Sequence, residues 1–298
     1  MAKHYSSDLV KRLVFLRALT PIHAGAGRGA SEHVDLSVQR DEFGFPCIWA
    51  SSFKGAVRGS LTRHEKADKQ CLNIALGPPP TNASEHSSAS SFLDVRLLFI
   101  PARSLKGVWT YVTSPHLVEY LATYLNALGA SSKNLQEGLK KLSLPAFSRQ
   151  DLLLDGSLAI LNEMEVKAAS VDKELPQRLF SLLPEELLAT LEEHGVVVVD
   201  DDVAVDLVRR SMLIQYRVRL NEKKTVDEGP WTEEYMPQET ILVSAILCKR
   251  SSAQVCNDPC QWLVEKLENL GVVWLGGKET VGKGLLKLYT RDVGGGGA

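Results

Sequence analysis

LVFLRALTPIHAGAGRG, residues 13–29, reads as a short apolar strand closed by Thr20-Pro21 and released into a glycine-rich loop. A glycine loop after a strand invites a dinucleotide-binding reading, but the third glycine of Gly25-Ala-Gly27-Arg-Gly29 comes one residue early. The chain then continues as SEHVD, not as the apolar face of a helix whose N-terminus could hold a pyrophosphate. A second glycine loop, Gly277-Lys-Glu-Thr-Val-Gly282-Lys283, matches the first seven positions of a P-loop. Its eighth residue is Gly284, where a Ser or Thr hydroxyl should bind magnesium, and LLKLY follows as a strand where a helix is required. Neither loop is a nucleotide site. Both can still let backbone N–H groups approach a phosphate, with Lys278 and Lys283 beside them; the plain alternative is a tight turn with solvated lysines.

Outward from the first strand, residues 44–48 read as a second short extended piece. Ser51 and Ser52 offer an N-cap to a helix in which Phe53, Ala56, Val57 and Leu61 share one face. GPPPTNASEHSSASS, residues 77–91, reads as a mobile loop. Strands are expected over 92–101 and 109–112, and a helix over 115–128 ends at Gly129. Residues 184–194 are helical in pattern, and VVVVDDDVAV predicts a hairpin with Asp200, Asp201 and Asp202 at its solvated tip. RVRL at 217–220 alternates as a half-buried strand. A strand at 241–247, a helix at 262–270 ended by Gly271, a strand at 272–275 and the strand LLKLY complete the chain. This alternation lacks the long parallel rhythm of a doubly wound sheet and predicts an α+β, ferredoxin-like core with insertions.

The 298 residues suit roughly two domains, or one large domain with insertions. With 44% apolar and 23% charged residues, the chain can bury a core and is not a disordered tail. No apolar run approaches a membrane span, and the polar N-terminus lacks the apolar segment of a secretory signal, so a cytoplasmic, membrane-free protein is expected. The net charge of −2 excludes a whole-domain basic footprint; a nucleic-acid partner would need local positive charge. Five cysteines, Cys47, Cys71, Cys248, Cys256 and Cys260, contain no CxxC pair, and reduced thiols are expected rather than a zinc site.

Three stretches together carry a resemblance: TPIHAGAG, VDLSVQRD and GFPCIWASSFKGAVRG within residues 20–59; RVRLN and GPWTEEYMPQET within 217–240; and WLGGKETVGKGLLKL at 274–288. The chain resembles the CRISPR-associated RAMP superfamily, specifically the backbone subunits of type III-B (Cmr) RNA-guided effectors; residues 75–210 add little to the match. The resemblance implies a ferredoxin-like palm with inserted thumb and finger elements, here divided as 1–154 and 229–293 for the palm, 155–228 for a thumb-like insertion and 294–298 as a glycine tail. It implies copies stacked in a filament along CRISPR RNA with other Cmr subunits. Each thumb kinks the guide–target duplex, and the single-stranded target RNA is cut there. Cleavage is expected to need a divalent metal, magnesium or alternatively manganese, and to leave a 2′,3′-cyclic phosphate. The family's essential acid falls on Asp35, its loop histidine on His23, and its remaining acidic candidates on Glu233 and Glu234.

Attack by a 2′-hydroxyl needs in-line geometry, help with its proton and stabilisation of added charge. A carboxylate with a reference pKa of about 3.9 is a weak base, so Asp35, beside His23 and Arg40, is expected to hold metal or position the hydroxyl. Without the resemblance, Asp35 would read as a solvated loop acid and His23 as a structural hydrogen-bonder; His33 has no match and reads as exposed. Ser51, Ser52, Lys54 and Arg58 at a helix start form a candidate phosphate site. Arg40, Arg217, Arg219, Lys278 and Lys283 are further candidate contacts, all sequence-independent. Rival readings are the equivalent type III-A (Csm) subunit, a purely structural RNA-binding subunit, and a lone precursor-RNA endonuclease.

Overall fold

The computed structural model describes residues 9–28, 34–64, 68–79, 81, 86–249 and 256–293. Gly29, His33, part of the 77–91 loop and the 294–298 tail lie outside them. Four strands form the centre: Leu9–Ala18, Val95–Ser104, Ile241–Lys249 and Leu285–Asp292. Across the sheet they run 95–104, 241–249, 9–18, 285–292, each antiparallel to its neighbour. Helix Ala50–His64 follows the first strand and helix Pro259–Leu270 the third. In chain order this is 4-1-3-2 with a βαββαβ plan, the expected ferredoxin-like palm.

The first strand explains itself. Leu13, Val14, Phe15 and Leu16 are all fully buried, so both faces of the sheet are covered. Val14 and Leu16 pack with Phe53 and Val57 of the first helix and Leu263 and Leu267 of the last. Leu13 and Phe15 pack with Val118, Leu121 and Leu125 of helix Pro115–Ala127 and Leu187 and Leu191 of helix Glu185–His194. The insertion between the second and third central strands thus closes the face the palm helices leave open, which is why the strand is a continuous apolar run instead of an alternating one.

That insertion also widens the sheet. Val108–Thr113 pairs with the strand 95–104, and Val196–Val198 lies parallel to it. The expected hairpin at 196–205 is corrected: the chain leaves Val196–Val198 through Asp200 into helix Asp201–Ser211. Ala204, Leu207, Val208 and Ser211 are its buried stripe, while Asp201 and Asp202 face the positive end of the helix dipole and Arg209 and Arg210 the negative end. Ser51 and Ser52 sit inside the first turn of their helix; the Ala50 amide donates to Asp94 Oδ1 (2.8 Å), so the cap comes from the residue just ahead of the strand Val95–Ser104. The helix expected at 262–270 starts earlier, capped by Asp258.

Four cysteines expected as thiols are instead paired: Cys71 with Cys256, joining helix Lys69–Leu76 to the segment just before the last helix, and Cys248 with Cys260, joining the third central strand to the last helix itself. Partners 185 residues apart carry no local sequence signal. Cys47 is free and buried. No helix among the described residues is long and apolar enough to cross a membrane.

Candidate functional site

A second, four-stranded sheet runs Leu213–Leu220, Val226–Tyr235, Leu36–Val38, Gly25–Arg28. The first glycine loop is therefore partly strand. The two long strands form a hairpin whose residues 218–230 are all exposed. Its returning strand runs straight into the palm: Ile22 and Met236 exchange backbone hydrogen bonds at 2.9 Å each, and Gly277 N–H donates to His23 O at 2.8 Å. Segments 20–28, 34–41, 231–236 and 276–284 meet at this root.

Three carboxylates lie there in different states. Asp35 is exposed, and its Oδ2 accepts from the Thr232 amide (2.7 Å) and hydroxyl (2.8 Å), while its own amide donates to Thr232 Oγ1 (2.9 Å). Glu233 is fully buried. Its Oε1 accepts from Lys278 Nζ (2.6 Å) and Trp231 Nε1 (2.8 Å), and its Oε2 from the Tyr235 hydroxyl. Burial alone would raise its pKa, but these donors, Lys278 foremost, hold it down at about 2. Glu234, one residue on and facing the other side of the strand, accepts from Arg40 Nη2 (2.5 Å) and the Val38 amide (3.0 Å).

His23 is buried, with Nδ1 2.7 Å from the Glu234 carbonyl oxygen. A carbonyl only accepts, so Nδ1 carries the proton and the ring is oriented by the backbone. Gly25 keeps room for it, since a Cβ there would stand 3.0 Å from Nε2. Among the described residues no group of three or more His, Cys, Asp or Glu side chains gathers as a metal cage. Glu233 and Glu234 are each neutralised by a protein cation, leaving Asp35 as the one exposed carboxylate of the three. This donor set does not fit a divalent ion held by the protein alone.

Beside the root, Ser52, Gly55, Ala56 and Gly59 present one face of the first helix to a groove of about 390 Å³, closed opposite by Gly25, Gly276 and Gly277 and rimmed by an Arg63–Glu279 ion pair (2.6 Å). The two glycines spaced by four on an amphipathic helix were the readable signal for this smooth wall; Gly55, Gly59, Arg63 and Glu279 were not singled out by the sequence reading. Of the expected RNA contacts, Ser52 lines the groove and Ser51 is exposed at the helix start. Lys54 reaches Ser90 O (3.3 Å), and Arg58 reaches Asn73 Oδ1 (3.3 Å) and Gly77 O, tying the helix to its neighbours; burial lowers the pKa of both. Lys283 sits over the Tyr235 ring, 5.2 Å from its centroid. On the hairpin, Arg219 pairs across the strands with Glu228 (3.0 Å), and Arg217 is half-buried.

A family model of the RAMP superfamily matches residues 15–287. The chain belongs to that superfamily. It is 34% identical over 289 residues to the "CRISPR system Cmr endoribonuclease Cmr4" of Pyrococcus furiosus, covering 94% of this chain and 96% of that protein. It is 30% identical to the "CRISPR system CMR subunit Cmr4" of Saccharolobus solfataricus, covering 92% and 94%. Among solved structures, a chain of a type III-B Cmr-beta complex bound to cognate target RNA superposes with a TM-score of 0.78 at 30% identity, covering 94% of this chain and 96% of that one. An oligomeric Cmr4 from Pyrococcus furiosus superposes with a TM-score of 0.71 at 29% identity, covering 95% and 98%. The Cmr4 match spans the palm, the hairpin and both glycine loops alike.

Proposed function

We propose that this chain is the backbone subunit of a type III-B effector, binding CRISPR RNA beside other copies of itself and other Cmr subunits, and cutting paired target RNA at Asp35. The observation that carries the assignment is the state of Asp35: exposed, and fixed by Thr232 at the root of a projecting hairpin. The glycine-walled groove suits the guide backbone, because main chain can approach phosphates closely where no Cβ intervenes. Contacts of that kind read no sequence, as suits a protein whose specificity comes from base pairing.

In the reaction, the target's 2′-oxygen bonds to the adjacent phosphorus and the bond to the 5′-oxygen breaks, with the 2′-hydroxyl proton passing to solvent water and the departing 5′-oxygen taking a proton from it, giving a 2′,3′-cyclic phosphate and a 5′-hydroxyl. Asp35 accepts a hydrogen bond from the 2′-hydroxyl and aims it in line; as a weak base it contributes chiefly orientation. Glu233, held ionised down to about pH 2 and fully buried, has no part in proton transfer near neutrality. We assign Glu233, Glu234 and His23 to positioning: they fix the strand that carries Thr232. Were a magnesium or manganese ion to take part, the RNA phosphates would have to hold it, with Asp35 offering a carboxylate oxygen, and it would stabilise the charge added at phosphorus.

The test is cleavage of end-labelled target RNA by the reconstituted complex, with and without magnesium, using wild type and Asp35→Ala. Regularly spaced products that fall by more than about 100-fold in the variant, with RNA binding retained, are expected. An unchanged ladder would remove Asp35 from the reaction, and no ladder with wild type would make the chain a scaffold.

A further inference from the structure

Among the described residues lining the glycine-walled groove, two are charged, Arg63 on the first helix and Glu279 on the second glycine loop, and they are bonded to each other. Arg63 Nη1 stands 2.6 Å from Glu279 Oε1 and Nη2 3.5 Å from Oε2, so both arms of the guanidinium face the carboxylate. The same side chain lies back along its own helix: its Nε donates to the Gly59 carbonyl (3.3 Å), and a Cβ on Gly59 would stand 4.0 Å from Nη2. The pair therefore bridges the helix wall and the loop wall at the rim.

Other cations around the groove are committed elsewhere. Lys54 and Arg58 bond to oxygens of neighbouring segments, and Lys278 is bound to Glu233, whose carboxylate is fully buried. Opening that buried pair would strand a charge and is costly. Arg63 differs: its side chain is 52% exposed and that of Glu279 40%. A pair so exposed is weakly held, because water takes over from either partner when it opens. Closed, it adds no net charge to the groove, and a phosphodiester arriving there meets a carboxylate as well as a guanidinium. A guanidinium fork that fits a carboxylate with two bonds fits a phosphate by the same geometry.

We propose that Arg63 is a phosphate contact held in reserve by Glu279: when the guide backbone enters the groove, the guanidinium leaves the carboxylate for one phosphodiester and Glu279 turns to solvent. The proposal rests on the reading of this groove as the guide-backbone site, and it adds the side chain that takes the phosphate and the acid that controls it. The unoccupied groove thus shows stray anions a neutral rim, and a strand gains the contact only by displacing the acid.

The test is binding of fluorescein-labelled single-stranded RNA of guide length to the full chain, followed by anisotropy across a salt series. Arg63→Gln should weaken binding about tenfold and make the slope of log affinity against log salt shallower by about 0.7, the value for one phosphate contact on a single strand, whereas Arg63→Lys should keep the slope. At about 0.3 M salt, where plain repulsion is screened, Glu279→Gln should tighten binding about fivefold when Arg63 is present, and less than about twofold when combined with Arg63→Gln. All of these substitutions lie at the exposed rim, so matching urea midpoints keep a folding defect out of the comparison. Equal gains in the two backgrounds would make Glu279 only a repelling acid, and an unchanged slope in Arg63→Gln would take the guanidinium off the phosphates; either overturns the exchange. Gly55→Ala separates this proposal from the reading beneath it. Weaker binding in Gly55→Ala with none in Arg63→Gln sinks the exchange alone, and no effect of either sinks the groove as the guide site.

Discussion

The first central strand pairs with Ile241–Lys249 through nine consecutive residues, Leu9 to Arg17, whereas Leu36–Val38 meets the hairpin strand through the single pair Glu233 and Leu36. Around the first contact the side chains are apolar and buried on both faces. Around the second they are ionic or hydrogen-bonded: Glu233 with Lys278, Glu234 with Arg40, Asp35 with Thr232. The palm is held by burial, which is strong and indifferent to direction. The hairpin root is held by polar bonds, which are weaker in net terms but fix orientation, and orientation is what an in-line reaction needs.

The sharpest test of this contrast is Leu97→Ala in the palm, where a fully buried side chain leaves a cavity; a loss of about 3 kcal/mol in chemical denaturation is expected. A loss below about 1 kcal/mol would mean that the palm is less tightly packed than its burial implies. Next comes Lys278→Met, which leaves Glu233 buried without its cation. Urea melts should show a loss of about 2 kcal/mol. Because Glu233 is depressed from 4.5 to about 2 in the folded chain, its contribution is full above pH 4.5 and disappears as the pH falls toward 2. Wild type should therefore lose stability across that window, and the variant should lose less of it.

Gly55→Ala should move stability and binding in opposite directions. Nothing lies within 4 Å of a Cβ placed there, so the helix gains about 0.5–1 kcal/mol while the groove narrows and RNA affinity falls. Unchanged affinity by filter binding would take the groove out of RNA recognition. The smallest effect is expected for Leu220→Ala on the hairpin, already 52% exposed, where the melting curve should change by less than about 0.5 kcal/mol.

Much of the palm was legible because its strands are apolar runs and its first helix carries an apolar stripe at 53, 56, 57 and 61, buried at 53, 57 and 61. The segments of the site were legible as motifs, though only the fold brings 20–28, 34–41, 231–236 and 276–284 together. Three features were hidden for separate physical reasons. The acids at 200–202 sit where both a hairpin tip and a helix start favour them, and only the stripe at 204, 207, 208 and 211 distinguishes the two. Lys54 and Arg58 look free in sequence, yet they are engaged by carbonyls and an amide of neighbouring segments. Thr232, which fixes Asp35 from 197 residues away, carries no mark of its own.

The cysteine arrangement has a practical corollary. With Cys71, Cys248, Cys256 and Cys260 joined in pairs, the remaining Cys47 is 1% exposed and its thiol is pushed up to about 12, chiefly by burial. The folded chain therefore offers maleimide chemistry no competent thiolate. A single cysteine introduced at Lys223, in the exposed turn of the hairpin, would take a fluorophore or spin label alone. Distances from one hairpin tip to the next along a filament then become directly measurable, with the native sequence otherwise intact.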